Sequence, residues 1–132
     1  MIVYLDSSVL LRVVLRQPDA LAEWRRIERA VASALVEVEC LRTLYRLRVA
    51  ARLTDRELAR RRQAVYRVLD ATEVVDVTRP VLARAAWPMP TALGTLDAIH
   101  LAMALLWREW RGEELVFATH DAALVFAACA SG

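Results

Sequence analysis

The sequence predicts an α/β fold in which a mainly parallel sheet is covered by helices on both faces. Short apolar, β-prone runs alternate with segments of helical spacing along the whole chain, as a succession of strand and helix units requires. The first and last of these runs, Ile2-Val3-Tyr4-Leu5 and Leu115-Val116-Phe117-Ala118, are apolar throughout, the pattern of strands buried on both sides. Each breaks at a polar segment, Asp6-Ser7-Ser8 or Thr119-His120-Asp121, before helical spacing resumes.

After the first strand, Val9, Leu10, Arg12, Val13 and Val14 carry a helical pattern, and Pro18-Asp19 opens a second helix to about Arg29 with Trp24 and Ile27 on its apolar side. Residues 30–36 then read as a short buried strand. Their continuation, residues 37–53, places Val38, Leu41, Leu44, Tyr45 and Leu47 at helical spacing, with arginines on the other faces and Glu39 in the opening turns. Thr54-Asp55-Arg56-Glu57 has the capping-box pattern, so a further helix runs to about Leu69, antiparallel to its predecessor if the connection is tight. Val74-Val75-Asp76-Val77 is the next strand, and Arg79-Pro80 opens a short helix, with proline suited to the first helical position. Trp87-Pro88-Met89-Pro90 is a rigid loop. Thr95 is placed to cap a helix over residues 96–110, with Asp97 in its first turn and Ile99, Met103, Leu106 and Trp107 facing inward. The last strand is followed by a helix ending near Ala128.

The 132 residues suffice for one core, burying roughly two-thirds of the unfolded surface, and a single domain over residues 1–132 is expected. No apolar stretch approaches the roughly 18 to 20 uninterrupted residues of a membrane span. MIVYLD has no basic segment ahead of its apolar residues, so a cytoplasmic protein is expected, with no membrane partner. Cys40 and Cys129 lie far apart without CxxC spacing, which points away from a zinc site or a disulfide framework. A formal net charge of +2 excludes a uniformly basic surface and leaves room for a local one. All 18 cationic residues are arginine, but asparagine is absent too, so compositional bias explains the choice as well as phosphate recognition does.

Four acids stand where separate pieces of chain would meet: Asp6, Glu39, Asp97 and Asp121. Singly, each has an ordinary explanation in helix capping. Capping alone does not predict that all four follow the same edge of the sheet, the edge where open parallel sheets bind ligands. Two carboxylates about 4 Å apart repel by about 4 kcal/mol at an effective dielectric near 20. A divalent cation neutralises them while keeping their oxygens as ligands, and hard oxygen donors favour Mg2+, with Mn2+ as the alternative. Such a site hydrolyses phosphodiesters. Asp6 and Asp97 are the first choices for direct ligands; Glu39 and Asp121 would bind through water or orient the attacking water.

These residues bring the chain close to a known family. Ile2-Val3-Tyr4-Leu5-Asp6-Ser7-Ser8, the Glu39-x-x-Arg42 pair, Thr95-Leu96-Asp97-Ala98-Ile99-His100-Leu101-Ala102 and Phe117-Ala118-Thr119-His120-Asp121 together resemble the PIN-domain ribonucleases, and among them the VapC-type toxins of type II toxin-antitoxin pairs. The resemblance spans residues 1–128. It implies a three-layer sandwich of helices around a mainly parallel sheet, and Mg2+ or Mn2+ at Asp6, Glu39, Asp97 and Asp121. It also implies cleavage of single-stranded RNA and a cognate antitoxin that covers the active site. Ser7 matches a hydroxyl position beside the first acid, and Thr119 one two residues before the last.

Arg42, on the same face as Glu39, either contacts RNA phosphate or pairs with that glutamate, and the pairing is the expectation. Glu37 points elsewhere. His100, one turn past Asp97, is expected to be a hydrogen-bonded structural histidine, and His120 has no assigned role. Met103 and Trp107 belong to the core or to a homodimer surface. The helix pair over residues 37–69 carries apolar stripes and arginines suited to an amphipathic antitoxin segment. A dehalogenase-type phosphatase would place a second aspartate at position 8, which is Ser8, and a receiver domain needs a lysine that the chain lacks. The remaining alternative is a catalytically weak or inactive PIN-like interaction module.

Overall fold

The computed structural model describes residues 1–17 and 22–132. In chain order its elements are β1 (Ile2–Leu5), α1 (Ser7–Val14), a 3-10 helix (Ala22–Arg26), β2 (Arg29–Ser33), α2 (Leu35–Val49), α3 (Asp55–Asp70), β3 (Thr72–Val75), α4 (Arg79–Ala85), α5 (Thr95–Arg111), β4 (Val116–Ala118) and α6 (Ala122–Ala130). The four strands described form one parallel sheet in the order β3-β2-β1-β4. Successive side chains point to opposite faces, and the core divides accordingly. Val3, Leu5 and Ala32 pack against α1, α2 and α3 through Val9, Leu10, Val36, Leu44, Val65 and Leu69. Tyr4 and Val31 pack on the other face against Val81 of α4 and Ala102, Met103, Leu106 and Trp107 of α5. Leu101 and Leu105 of α5 meet Leu124 and Ala127 of α6. This is the expected three-layer sandwich, and it places Met103 and Trp107 in the core.

Several boundaries differ from the sequence expectation. The proposed helix start at Pro18-Asp19 lies outside the described residues, and the helix does not reach Arg29. Parallel pairing of Ile2 with Arg29, Val3 with Ala30 and Tyr4 with Val31 claims that segment for the sheet, with the Glu28 amide already donating to Met1 O at 3.0 Å. The strand expected over residues 30–36 ends at Ser33, because the Ser33 hydroxyl accepts the Leu35 amide at 3.0 Å and starts α2 there. Val36 is thus buried as a helical residue. Strand β3 begins at Thr72, two residues earlier than expected, and ends where Ser33 pairs with Val75. Gly94 rather than Thr95 is the cap of α5, its extended backbone (φ −64°, ψ 161°) offering a carbonyl to the Ala98 amide at 2.9 Å.

The α2–α3 pair is antiparallel, since contacts join opposite ends. Glu37, early in α2, accepts from the Tyr66 hydroxyl late in α3 at 3.0 Å, while Arg48, late in α2, meets Asp55 at the start of α3 at 2.5 Å. The turn between them uses Ala51 in the left-handed region (φ 58°). Both halves of the capping box form: the Glu57 amide donates to Thr54 Oγ1 at 3.1 Å and the Thr54 amide to Glu57 Oε1 at 3.1 Å. Among the described residues no helix is long and apolar enough to cross a membrane. Thr54→Ala should lower unfolding free energy by about 1 kcal/mol. The expected reading is a lower urea midpoint with an unchanged slope; an unshifted midpoint would mean the cap contributes nothing.

Candidate active site

The sheet order creates the crevice. From β1 the chain moves outward to β2 and β3 on one side, and β4 then returns to pair on the other side of β1, so the connections leaving β1 and β4 diverge at their carboxyl ends. Asp6 directly follows β1, and its amide donates to Ala118 O at 3.1 Å, holding the ends of β1 and β4 together. Thr119, His120 and Asp121 follow β4. Glu39 enters on α2 and Asp97 on the first turn of α5.

Asp6 is only 5% exposed, and although it stands at the start of α1 its side chain makes no capping bond. Oδ2 instead accepts from Ser8 Oγ at 2.8 Å and from Thr119 Oγ1 at 2.7 Å. Each hydroxyl is itself held by the turn after β4: Ser8 Oγ accepts the His120 amide at 2.9 Å and Thr119 Oγ1 the Asp121 amide at 3.0 Å. A buried carboxylate needs such donors, and two of them fix its plane. Asp121 is exposed and caps α6, with Oδ1 accepting the Leu124 amide at 3.0 Å. Glu39 Oε1 lies 2.5 Å from His100 Nε2, and His100 Nδ1 lies 2.9 Å from the Tyr4 hydroxyl.

Asp97 differs from the other three. Among the described residues its carboxylate receives no hydrogen bond, and its pKa is raised above the usual aspartate range. Desolvation is the largest cause; the negative charges of Asp121, Asp6 and Glu39 add to it, and His100 partly offsets them. Two neighbours sense the same field. Burial pushes the Cys40 thiol up to about 12, with Glu39 and Asp6 contributing. The Tyr4 phenol is also raised, by burial first and then by Asp6 and Glu39.

The four acids are therefore neighbours at one sheet edge, yet among the described residues no three His, Cys, Asp or Glu side chains already close on a common point. They ring the crevice with hard oxygen donors of the kind that suit Mg2+ or Mn2+. Beside them Ser7, Leu35, Val38, Glu39, Arg42, Thr43, Arg46 and Leu96 line an open groove of about 330 Å3. It sets two arginines next to a carboxylate.

The expected Arg42–Glu39 pair does not form among the described residues, because His100 from α5 takes the Glu39 carboxylate. Arg42 lines the groove instead. The hydroxyl beside Asp6 is Ser8 rather than Ser7; the i to i+2 spacing of an Asp-x-Ser turn was the local signal for it. Tyr4, read only as a strand residue, is the other group missed.

The sequence pattern of the PIN domain matches residues 3–125, and the chain belongs to the PIN-domain family. It is 36% identical over 105 residues to Ribonuclease VapC46 of Mycobacterium tuberculosis (strain ATCC 25618 / H37Rv), covering 77% of this chain and 73% of that protein. It is 31% identical over 126 residues to Ribonuclease VapC47 of Mycobacterium tuberculosis (strain CDC 1551 / Oshkosh), covering 90% and 84% respectively. Ribonuclease VapC35 of the same strain is 38% identical over 107 residues, covering 77% and 72%.

An aspartate held above its unfolded value costs stability at every pH above its folded value, and that cost vanishes below the ordinary aspartate range near ~3.9. Asp97→Asn should therefore raise the thermal midpoint of chelator-treated protein at pH 7. The gain should shrink as pH falls through the acid range. Melting curves check this, and a variant no more stable than wild type at pH 7 contradicts it.

Proposed function

We propose that this chain is a divalent-metal-dependent endoribonuclease toxin that hydrolyses phosphodiester bonds in single-stranded RNA and is neutralised by a cognate antitoxin. The observation that carries the reading is the meeting of Asp6, Glu39, Asp97 and Asp121, from four separate parts of the chain, at one crevice where desolvation first, and then the charges of the other three, raise the pKa of Asp97. The Mycobacterium tuberculosis relatives are each named as a ribonuclease, in agreement with it.

In this reading Asp6 and Asp97 hold Mg2+, or Mn2+ in its place, and Glu39 and Asp121 complete the acidic site. The bound cation supplies a Lewis acid for the phosphodiester and lowers the pKa of water. The chain's own residues do the rest. Ser8 and Thr119 donate to Asp6 Oδ2 and hold its carboxylate in place, so that it needs little reorganisation. Glu39 and Asp121 orient the attacking water. Ser7, Arg42 and Arg46 receive the RNA backbone along the groove beside Glu39, where guanidinium forks match phosphate oxygens. Unpaired bases can stack on the exposed Tyr45 ring between Arg42 and Arg46, which suits a single strand better than a duplex.

The exposed apolar residues of α2, Val38, Tyr45 and Val49, give an amphipathic antitoxin segment a face to cover, next to the RNA groove. A single domain over residues 1–132, a cytoplasmic location and a homodimer complete the proposal.

Purified protein should cut unstructured RNA with Mg2+ and stop on chelation. Asp6→Asn and Asp97→Asn should each lower the rate by roughly 100-fold or more. Equal cleavage by wild type and both variants would mean a contaminating nuclease and would sink the mechanism. Co-expressed with the product of the adjacent reading frame, the chain should purify as a complex, and Val38→Asp should weaken that complex by roughly 10-fold. A protein that stays monomeric and partnerless by mass measurement contradicts this part.

A further inference from the structure

His100 has no exposed surface, and neither does Tyr4. A fully buried imidazole is an expensive choice at a position an apolar side chain could fill, unless both ring nitrogens are used. Both are. Nδ1 lies 2.9 Å from the Tyr4 hydroxyl and Nε2 lies 2.5 Å from Glu39 Oε1. A carboxylate accepts hydrogen bonds, so Nε2 is the donor toward Glu39, while Nδ1 meets the buried Tyr4 hydroxyl, a group able to donate or to accept.

The three groups come from three elements: Tyr4 from β1, Glu39 from α2 and His100 from α5. The phenol ring is fixed in turn by β4, since Phe117 stacks on it with centroids 5.2 Å apart and planes 16° apart, while His100 meets its edge at 6.1 Å and 71°. His100 also lies three residues past Asp97, on the same face of α5. A glutamate has three rotatable side-chain bonds, and this chain of hydrogen bonds arrests them.

We propose that Tyr4 and His100 are positioning residues that hold the Glu39 carboxylate at the cation site, with the Tyr4 hydroxyl fixing the imidazole that presents Nε2 to it. The proposal rests on the metal-dependent ribonuclease reading. It predicts that removing one oxygen atom from a side chain that touches neither cation nor RNA weakens the site. Tyr4→Phe leaves Nδ1 without its partner, so that the ring is held by hydrogen bonding from the Glu39 side alone. His100→Leu removes the donor, whereas His100→Gln keeps an acceptor and a donor at similar spacing.

The test titrates Mn2+ into wild type and the three variants by electron paramagnetic resonance, and separates kcat from KM for cleavage of an unstructured RNA. Tyr4→Phe and His100→Leu should each lower Mn2+ affinity and kcat by roughly 10- to 100-fold, with KM within about threefold. His100→Gln should recover most of the loss. Should His100→Leu not fold, Tyr4→Phe still decides. Wild-type Mn2+ affinity and kcat in Tyr4→Phe would overturn the proposal. If Asp6→Asn loses cleavage while Tyr4→Phe keeps it, only the positioning role fails; if wild type neither binds Mn2+ nor cuts RNA, the ribonuclease reading fails with it.

Discussion

Repulsion among carboxylates at the carboxyl edge of the sheet is the constraint around which the rest of this structure is arranged. The order β3-β2-β1-β4 brings the ends of β1 and β4 together, and the helices that follow β2 and precede β4 deliver two more acids to the same crevice. Three of the four are stabilised by donors: Asp6 by two hydroxyls, Glu39 by His100 and Asp121 by the Leu124 amide. Asp97 receives no such bond among the described residues, and its pKa is raised by desolvation first and then by the charges of the other three. Negative charge is thus held in place locally and left uncompensated at one position. A divalent cation supplies what that position lacks.

Such a site depends on packing that does not yield. The acids stay close because the strands carrying them are locked between two apolar layers, through Val3, Leu5, Leu10 and Leu44 on one side and Tyr4, Val31, Met103 and Trp107 on the other. Each fully buried large apolar side chain contributes about 1.5–3 kcal/mol relative to exposure. That is enough for the core to carry the destabilising field of its own functional edge, the familiar exchange of stability for function. Tyr4 belongs to both systems, its ring stacked in the core and its hydroxyl bonded to His100.

What could be seen in the sequence follows from whether a feature is local. Asp6 stood out because the apolar run Ile2 to Leu5 breaks at it, and the Thr54–Glu57 box was legible because both partners lie within one turn. Parallel layering followed from strands without polar alternation. Pairing decided the rest. The strand at Arg29 exists because β1 offers it a ladder, which no propensity in residues 22–29 announces. Glu39 turned to His100, 61 residues away, in place of Arg42 three residues away, and Tyr4 reached the same histidine across 96 residues. Thr95 looked like a cap by residue type, but Gly94 has the extended backbone that begins α5. Spacing located the acids along the chain; only the tertiary contacts reveal which donor each one receives.

The claim tested most directly is that the crevice between β1 and β4 is a cation pocket. Anomalous scattering from a crystal grown with Mn2+ would locate the ion. The account predicts a single strong manganese site, or a close pair, in contact with the carboxylates of Asp6 and Asp97 at about 2.1 Å, with Glu39 and Asp121 facing it. Saturating Mn2+ that leaves the crevice empty, or that occupies only surface carboxylates elsewhere, would contradict it.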